Sequence, residues 1–184
     1  GIRLPLGPDY GGPLFFAQYS FLGLDPRELS DEYADYWEQN VSQTLINYRY
    51  CVRNPKGWTG YGADVWGLTA SDIPGGYAAS SPTDDLGVIA PTAALSSMPY
   101  APAESMQALR HYYYILGDRA FGDYGFCDAF SLEQDWFAPS YLAIDQGPII
   151  IMIENHRTGL LWDLFMRNVC ILDGLDKLGF DYVK

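Results

Sequence analysis

An all-α fold of about six helices, joined by alternating short and long loops, is predicted from three features of the sequence. Apolar residues recur every three or four positions in several segments, which is the spacing of one helix face. Proline or a capping side chain stands where these segments begin, and glycine or Asn-Pro stands where they end. The segments between them carry glycine or proline every few residues, so only short strands are expected there.

The clearest helix is expected between Asp31 and the Asn54-Pro55 pair, which stops it. Arg49 and Arg53 lie near its negative end, where basic side chains are favourable. Residues stepping by three or four predict the face that points inward: Tyr33, Trp37, Val41, Thr44, Leu45, Tyr48 and Val52.

Two shorter segments precede this helix. Residues 13–22 are almost wholly apolar and predict a short helix or a buried segment that ends at Gly23. Asp25, Pro26 and Glu28 then supply a capping side chain, a first-turn proline and a nearby acid, which is typical of a helix start.

The middle of the chain alternates loops and helices. Residues 56–91 and 118–141 are predicted to be long loops, with short strands around 76–80 and 87–90. Short and longer helices are predicted at 91–98 and 102–116. The longer one ends at Gly117, and its predicted inner face contains Met106, Leu109, Tyr113 and Leu116.

Residues 141–165, YLAIDQGPIIIMIENHRTGLLWDLF, place polar groups at both ends of an apolar run. The run at 149–153 alone could equally be a buried strand. Asp145 as a cap, Pro148 in the first turn and the absence of a breaker before Thr158 favour a helix. A final helix is expected to start at Thr158 or Gly159, with these residues inward: Leu161, Leu164, Phe165, Asn168, Val169 and Leu172.

Length and charge limit the classes of function. The 184 residues suit one domain, 1–184, and its loop-like start suggests that the chain begins partway through a larger unit. The formal net charge of −12 argues against nucleic acid and anionic membranes as partners. No apolar run is long enough to span a membrane, and the first residues lack the pattern of a signal peptide.

The sequence predicts no metal and no cofactor. It contains only two histidines and no nucleophile elbow, so Ser-His catalysis and a histidine-rich metal site are poorly supported. The three cysteines have neither zinc-type spacing nor a disulfide framework. Their apolar neighbours predict that Cys51, Cys127 and Cys170 are small core residues.

Carboxylates beside aromatic residues are the remaining signal. Glycoside hydrolysis needs a proton donor and a second carboxylate within aromatic walls, and 15 Tyr, 9 Phe and 5 Trp could supply such walls. Each acid also has a structural explanation: Asp72 could cap a turn, Asp145 its helix, and Glu154 could pair with Arg157. The acids that carry the pattern are Asp64, Asp72, Asp128, Asp135, Asp145 and Glu154.

Several long motifs, in order, resemble the C-terminal half of the bacterial glucoamylase-like family. They are WGLTASDIPGGY, GVIAPTAALSSMPYAPAESMQALRHYY, YGFCDAF and the 141–165 segment. That family includes endo-β-1,2-glucanases and the glycoamylase-like domain of cyclic β-1,2-glucan synthases. The resemblance is strong over residues 58–165, and 14–53 are compatible with it. Cys127 departs from the family, which often has an aromatic residue there.

The resemblance implies half of an (α/α)6 toroid, whose loops at one end build the substrate cleft. It also implies an N-terminal half as partner, and a periplasmic or secreted bacterial protein. The expected activity is hydrolysis of a β-glucan, by inversion in analogy with toroidal hydrolases. The alternative is a carbohydrate-binding or structural half-domain without catalysis. Candidate catalytic residues are Glu154, Asp72 and Asp145; candidate substrate-binding residues are Trp66, Tyr77, Asp64, Asp128, Trp136 and Arg157.

Overall fold

The structure is a computed structural model that describes residues 1–182. It is rich in helix, as predicted, and its strands are short. The helices are α1 Tyr36–Arg53, α2 Pro91–Leu95, α3 Pro102–Arg110, α4 Ala143–Thr158, α5 Leu160–Met166 and α6 Val169–Leu178. The strands are β1 Ala70–Ile73, β2 Gly76–Ala79, β3 Phe121–Gly122, β4 Gly125–Phe126, β5 Phe130–Ser131 and β6 Trp136–Phe137, paired in order as three antiparallel hairpins.

Helix α1 begins later than predicted and ends as predicted. Asp35 caps it by accepting a hydrogen bond from the Glu38 N–H at 2.8 Å. Asp31 instead organises the preceding turn, since its Oδ1 accepts from the backbone of Tyr33 at 2.8 Å. Asn54 closes the helix in the left-handed conformation, with φ of 44°.

The prediction of the inner face of α1 was correct in part. Thr44 is buried, and Trp37, Val41 and Tyr48 pack against the core. Tyr33 and Val52 are exposed, and the fully buried positions are mostly polar. Gln39 exchanges two hydrogen bonds of 3.0 Å with the backbone of Leu6. Periodicity counts only apolar side chains, so it could not show that this face meets irregular backbone that needs polar partners. The buried positions are Gln39, Asn40, Gln43, Thr44, Asn47 and Cys51.

Residues before α1 form short 3₁₀ helices and no α-helix. The segment at 13–22, predicted as a short helix or a buried segment, contains two 3₁₀ helices with buried residues, Leu14–Ala17 and Tyr19–Phe21. The predicted helix start at Asp25 was wrong: Asp25 accepts from the Arg27 N–H at 2.9 Å, and Glu28 has a φ of +60°. A left-handed residue at that position cannot belong to a right-handed helix.

The inner face of the helix after Pro102 also differs from the prediction. Helix α3 passes into a π-helical segment at His111–Leu116, which shifts the side chains that follow. Met106 and Tyr113 are exposed, and small residues and one tyrosine pack inward. The buried positions are Ser105, Ala108 and Tyr112, with Leu109 and Leu116 partly buried.

The chain ends in two helices instead of the single one predicted. Asn168 interrupts the helix and caps α6 through a 2.9 Å bond from the Cys170 N–H. Trp162 is the large buried residue of α5, whereas Leu164, Phe165 and Val169 are exposed. Cys51 and Cys127 are buried as expected, but the expectation for Cys170 was wrong, because it lies exposed on α6.

The helices expose many large apolar side chains. Ile150 on α4 and Ile115 in the π-helical segment are each 71% exposed. Others lie on α3 to α6 and the π-helical segment: Met106, Tyr113, Tyr114, Ile144, Leu160, Leu164, Phe165, Val169 and Leu178. Exposed apolar faces of this extent are typical of surfaces that contact another segment or partner. No helix within residues 1–182 has both the length and the apolar character needed to cross a membrane.

A buried carboxylate ties the 56–91 loop to α1. Asp85 is 3% exposed, and its oxygens accept hydrogen bonds from the Tyr50 hydroxyl at 3.0 Å and the Trp58 indole at 2.9 Å. They also accept from the Tyr61 hydroxyl at 2.8 Å and the Gly87 N–H at 3.0 Å. Neutral donors thus satisfy the charge without a cation at the carboxylate.

We expect Asp85→Asn in the complete protein to lower the free energy of unfolding by about 2–4 kcal/mol. The amide keeps one acceptor oxygen and turns a donor toward groups that are themselves donors. Urea denaturation measures the loss. The neighbouring, exposed Asp84→Asn is the control and should cost under about 0.5 kcal/mol. Equal effects of the two substitutions would contradict the role given to Asp85.

Candidate active site

A hairpin and two loops meet beside the first turn of α4. In the β1–β2 hairpin, Asp72 pairs with Tyr77. The Asp72 backbone N–H donates to Asp128 Oδ2 at 2.7 Å, and the Ser140 hydroxyl donates to Asp72 Oδ2. Asp72 is therefore held at its backbone by one loop residue and at its side chain by another.

Asp128 lies between strands β4 and β5 and is 1% exposed. Its backbone N–H donates to the Ser140 carbonyl at 3.1 Å, so the two loop residues that hold Asp72 also hold each other. The next strand is fixed by two 2.8 Å backbone hydrogen bonds between Phe130 and Ile89. Asp128 is thus placed by rigid backbone on both sides.

Asp145 lies in the first turn of α4 and is also 1% exposed. Its Oδ1 accepts from the Tyr19 hydroxyl at 3.2 Å, and its carbonyl accepts from the Thr92 hydroxyl at 2.9 Å. The prediction that Asp145 caps the helix was wrong, since Leu142 occupies the N-cap position. Pro148 lies in the second turn, where its ring removes one helical hydrogen bond.

Burial and proximity raise the pKa values of the Asp128 and Asp145 carboxyls. Burial first, and then a hydrogen bond with Asp128 and the charge of Asp128, raise the pKa of Asp145 from 3.8 to about 7. Burial also raises the pKa of Asp128. Asp128 Oδ1 and Asp145 Oδ2 are both buried, and neither has a hydrogen-bond partner within residues 1–182. One proton placed between these two oxygens would satisfy both and would leave the pair with a single negative charge.

Two tyrosines complete the cluster. Tyr19 is half-buried, and burial together with the Asp145 charge raises the pKa of its hydroxyl. Tyr77 is 54% exposed, and the pKa of its hydroxyl is raised by burial and by the charges of Asp145, Asp128 and Asp72. Tyr77 therefore lies near the three carboxyl groups and is in part open to solvent.

Glu154 and Arg157 lie away from this cluster. Glu154 follows Asp145 by about two and a half turns, so the two acids leave α4 on opposite sides, roughly 13 Å apart along its axis. Glu154 accepts from Arg157 at 2.8 Å and from the Thr158 hydroxyl at 2.7 Å. These contacts agree with the structural explanation given for Glu154 in the sequence analysis, which is that it pairs with Arg157.

The other predicted binding residues are also separate from the cluster. Trp66 is fully buried, and its indole donates to the Glu104 carbonyl at 3.3 Å, as a core residue would. Asp64 accepts from the Gln107 amide and lies 3.9 Å from His111 Nδ1. Trp136 is partly buried in strand β6. The structure thus brings together Asp72, Tyr77, Asp128 and Asp145 from the predicted set.

Tyr19, Ser140 and Thr92 join the site without having been predicted. Tyr19 sits in an apolar segment that carries no acid, and its contact with Asp145 spans 126 positions of sequence. No sequence motif distinguishes Ser140 and Thr92 from the other serines and threonines of the chain. Only the folded chain identifies them.

The arrangement joins an acid whose pKa is raised to about 7 to further carboxylates near a partly exposed tyrosine. Acid–base hydrolysis of glycosides requires groups of this kind. Within residues 1–182, no group of three or more His, Cys, Asp or Glu side chains could hold a metal ion.

A family model with the description "Glycoamylase: Putative glucoamylase" matches residues 5–169. The chain belongs to the glycoamylase family. This membership confirms the resemblance found in the sequence motifs. The glycoamylase chain is 48% identical over 180 residues to the exo β-1,2-glucooligosaccharide sophorohydrolase (non-reducing end) of Parabacteroides distasonis. That match covers 97% of the chain and 25% of the relative.

Two solved structures are similar over nearly the whole chain. The endo-β-1,2-glucanase of Chitinophaga pinensis, in complex with sophorotriose and glucose, has a TM-score of 0.93 at 55% identity, covering 97% of this chain and 43% of that one. A "putative glucoamylase" of Bacteroides uniformis has a TM-score of 0.96 at 63% identity, covering 98% and 44%. The chain therefore spans under half the length of these relatives.

The raised pKa of Asp145 predicts how stability depends on pH. Between about pH 4 and 7 the folded protein binds one proton more than the unfolded chain, so this contribution is full below pH 4 and is lost as the pH rises to 7. Asp145→Asn does not titrate, and its amide can donate to Asp128 as the protonated acid does. We expect the variant to gain stability over the wild type progressively from pH 4 to 7.

Urea denaturation of the complete protein at pH 4.5, 6 and 8 measures this difference. Asp173→Asn, on the exposed side of α6, is the matched control and should show a smaller, nearly pH-independent difference. A pH-independent difference for Asp145→Asn would show that the carboxyl is not protonated in the fold.

Proposed function

We propose that this chain is part of a glycoside hydrolase that cleaves a β-1,2-linked glucan by acid–base chemistry with inversion. Family membership and the names of two relatives, a β-1,2-glucanase and a β-1,2-glucooligosaccharide sophorohydrolase, support the reaction class and the linkage. The observation that carries the proposal for this chain is the cluster of Asp72, Asp128 and Asp145 near Tyr77.

Asp72 is the proposed base. It is only partly buried, whereas the Asp128 and Asp145 carboxyls are almost fully covered. In an inverting reaction, a carboxylate removes a proton from water as the water attacks the anomeric carbon. The bonds from Ser140 and to Asp128 hold Asp72 in one position, which favours that role.

The Asp128–Asp145 pair supports the position of Asp72. With one proton between them, the two carboxyls carry one charge and can approach closely without repulsion. Asp128 Oδ2 then remains available to accept from the Asp72 backbone. We assign the proton donor to the leaving group to the remainder of the domain, since this chain spans under half of its relatives.

Tyr77 is the proposed sugar-binding residue. Its exposed ring offers an apolar face to the C–H surface of a glucose unit. Its hydroxyl can form hydrogen bonds with the hydroxyl groups at the edge of the sugar ring. The hairpin turn that carries it is exposed on both sides of Gly75, which leaves room for a chain of several sugar units.

The rest of the toroid is the proposed partner of the exposed apolar faces. We propose that α3 to α6 complete an (α/α)6 toroid with the N-terminal half of the same domain, which would cover Ile115 and Ile150. Such a protein would act in the periplasm or outside the cell, where glucans of this kind are accessible substrates.

Substitution of Asp72 tests the hydrolase proposal. In the complete protein, Asp72→Asn should lower kcat on β-1,2-glucan by about 100-fold or more, because the amide cannot accept the proton of water. Asp145→Asn should lower kcat by less than about tenfold, because the amide keeps the hydrogen bonds of a protonated acid. Release of reducing ends gives the rates, and Asp173→Asn is the control.

The outcomes separate the two candidate functions. Full activity of Asp72→Asn would remove Asp72 from the chemistry. If the wild-type protein binds the glucan in calorimetry and releases no reducing ends, the alternative of a non-catalytic binding module replaces the hydrolase.

Substitution of Ile150 tests the half-toroid. In the complete protein, Ile150→Ser should cost about 2 kcal/mol or more if the other half covers this side chain. Isoleucine and serine have similar helix propensities, so an uncovered residue would cost under about 0.5 kcal/mol. Urea denaturation measures the change. The exposed Lys177→Ser on α6 is the control, and equal small losses for both would contradict the covered face.

A further inference from the structure

Tyr19 touches the carboxyl pair from a part of the chain that is distant in sequence. Its hydroxyl donates to Asp145 Oδ1 at 3.2 Å. Its ring stacks on Phe15 at 5.3 Å between centroids, and the Phe15 N–H donates to the Thr69 hydroxyl at 3.1 Å. The segment that carries Tyr19 is therefore fixed to the residue directly before strand β1, which holds Asp72.

The bond from Tyr19 limits where the shared proton can lie. A hydroxyl that donates to Asp145 Oδ1 makes that oxygen an acceptor. The other oxygen, Oδ2, and Asp128 Oδ1 are the buried oxygens of the pair that have no hydrogen-bond partner within residues 1–182. A proton on Asp145 Oδ2 that points at Asp128 Oδ1 satisfies both, whereas a proton on Oδ1 would oppose the Tyr19 hydroxyl.

The pair connects this proton to Asp72. Asp128 uses Oδ1 toward Asp145 and Oδ2 toward the Asp72 N–H at 2.7 Å. A turn of the Asp128 carboxyl, which loss or displacement of the proton would cause, breaks the bond to Asp72. The position of Asp72 thus depends on the state of the pair.

We infer that Tyr19 is a positioning residue: it holds the shared proton between Asp145 Oδ2 and Asp128 Oδ1 and thereby fixes Asp72. The inference rests on the proposed function for its consequence in catalysis, but its physical basis is the pair itself. Tyr19 does not contact the reacting atoms in this scheme.

The groups that face Asp145 decide the sign of the expected change. They are the Asp128 carboxyl from the loop before β5, Asp72 from β1, Tyr77 from β2 and Tyr19 from its 3₁₀ turn. Among residues 1–182, no arginine or lysine forms an ion pair with Asp145. The Tyr19 hydroxyl favours the ionised form of Asp145, and Asp128 and Asp72 oppose it.

Tyr19→Phe in the complete protein tests the inference through two measurements. Removing the hydroxyl should raise the pKa of Asp145 by about one pH unit. In urea denaturation, the window over which stability falls should then extend about one pH unit higher. In the pH profile of kcat/KM, the pH at which activity falls on the alkaline side (the alkaline limb) should rise by the same amount. Activity at the optimum pH should fall severalfold, because the proton can then occupy either oxygen of Asp145.

Tyr36→Phe is the matched control. It removes a tyrosine hydroxyl that donates to an aspartate, Asp31 Oδ2, at 2.7 Å, on a different part of the chain. It should lower stability and leave the alkaline limb unmoved. A change of fold stability alone therefore cannot imitate the expected result.

The two measurements separate failure of the inference from failure of the proposed function. A shift of both the stability window and the activity limb supports the positioning role. If neither moves, or if the window moves while the limb of an active enzyme stays in place, the inference is overturned. If the window moves and the wild-type protein hydrolyses no glucan, the arrangement of the proton is supported and the proposed function fails.

Discussion

Hydrogen bonds from amide side chains to loop backbone are the interactions on which the rest of this structure depends. Loops that cross an interior must find partners for their N–H and C=O groups. Asn47 of α1 exchanges two 3.0 Å bonds with Leu68, and Gln43 donates to the Gly11 carbonyl at 2.7 Å. Asn155 of α4 bonds the Leu22 carbonyl at 3.0 Å. Each bond fixes one loop to one helix, so long glycine-rich segments are ordered with little sheet.

The carboxyl cluster exists because these loops are fixed. Its three acids come from a hairpin, a loop and a helix, and no two of them are neighbours in sequence. Burying the Asp128 and Asp145 carboxyls is costly, and the cost persists because the surrounding backbone cannot move to relieve it. Within residues 1–182 neither acid forms an ion pair with a basic side chain, so a shared proton would take the place of a counter-ion. Functional sites often hold such perturbed groups on rigid supports.

The sequence carried enough information to find the helices and part of the site, for separate reasons. The ends of α1 and α4 follow from local signals, since Asn54 and Gly159 adopt left-handed caps that any neighbouring fold would keep. The buried faces follow only in part, because some apolar positions of each helix, such as Met106 and Ile150, are exposed in this chain. Asp72, Asp128 and Asp145 could be named from acids near aromatic residues. The separation of Glu154 from them required the actual start of α4, and Tyr19 required a contact that no local pattern encodes.

The shared proton also ties folding to the composition of the solvent. An unfolded chain at pH 6 has an ionised Asp145, whereas the folded chain has a protonated one, so each folding event takes up a proton from the buffer. Below pH 7 the native chain therefore carries one negative charge fewer than the formal −12. The heat of folding measured by calorimetry will then depend on the ionisation enthalpy of the buffer, and two buffers at one pH will give two different enthalpies for the same structure.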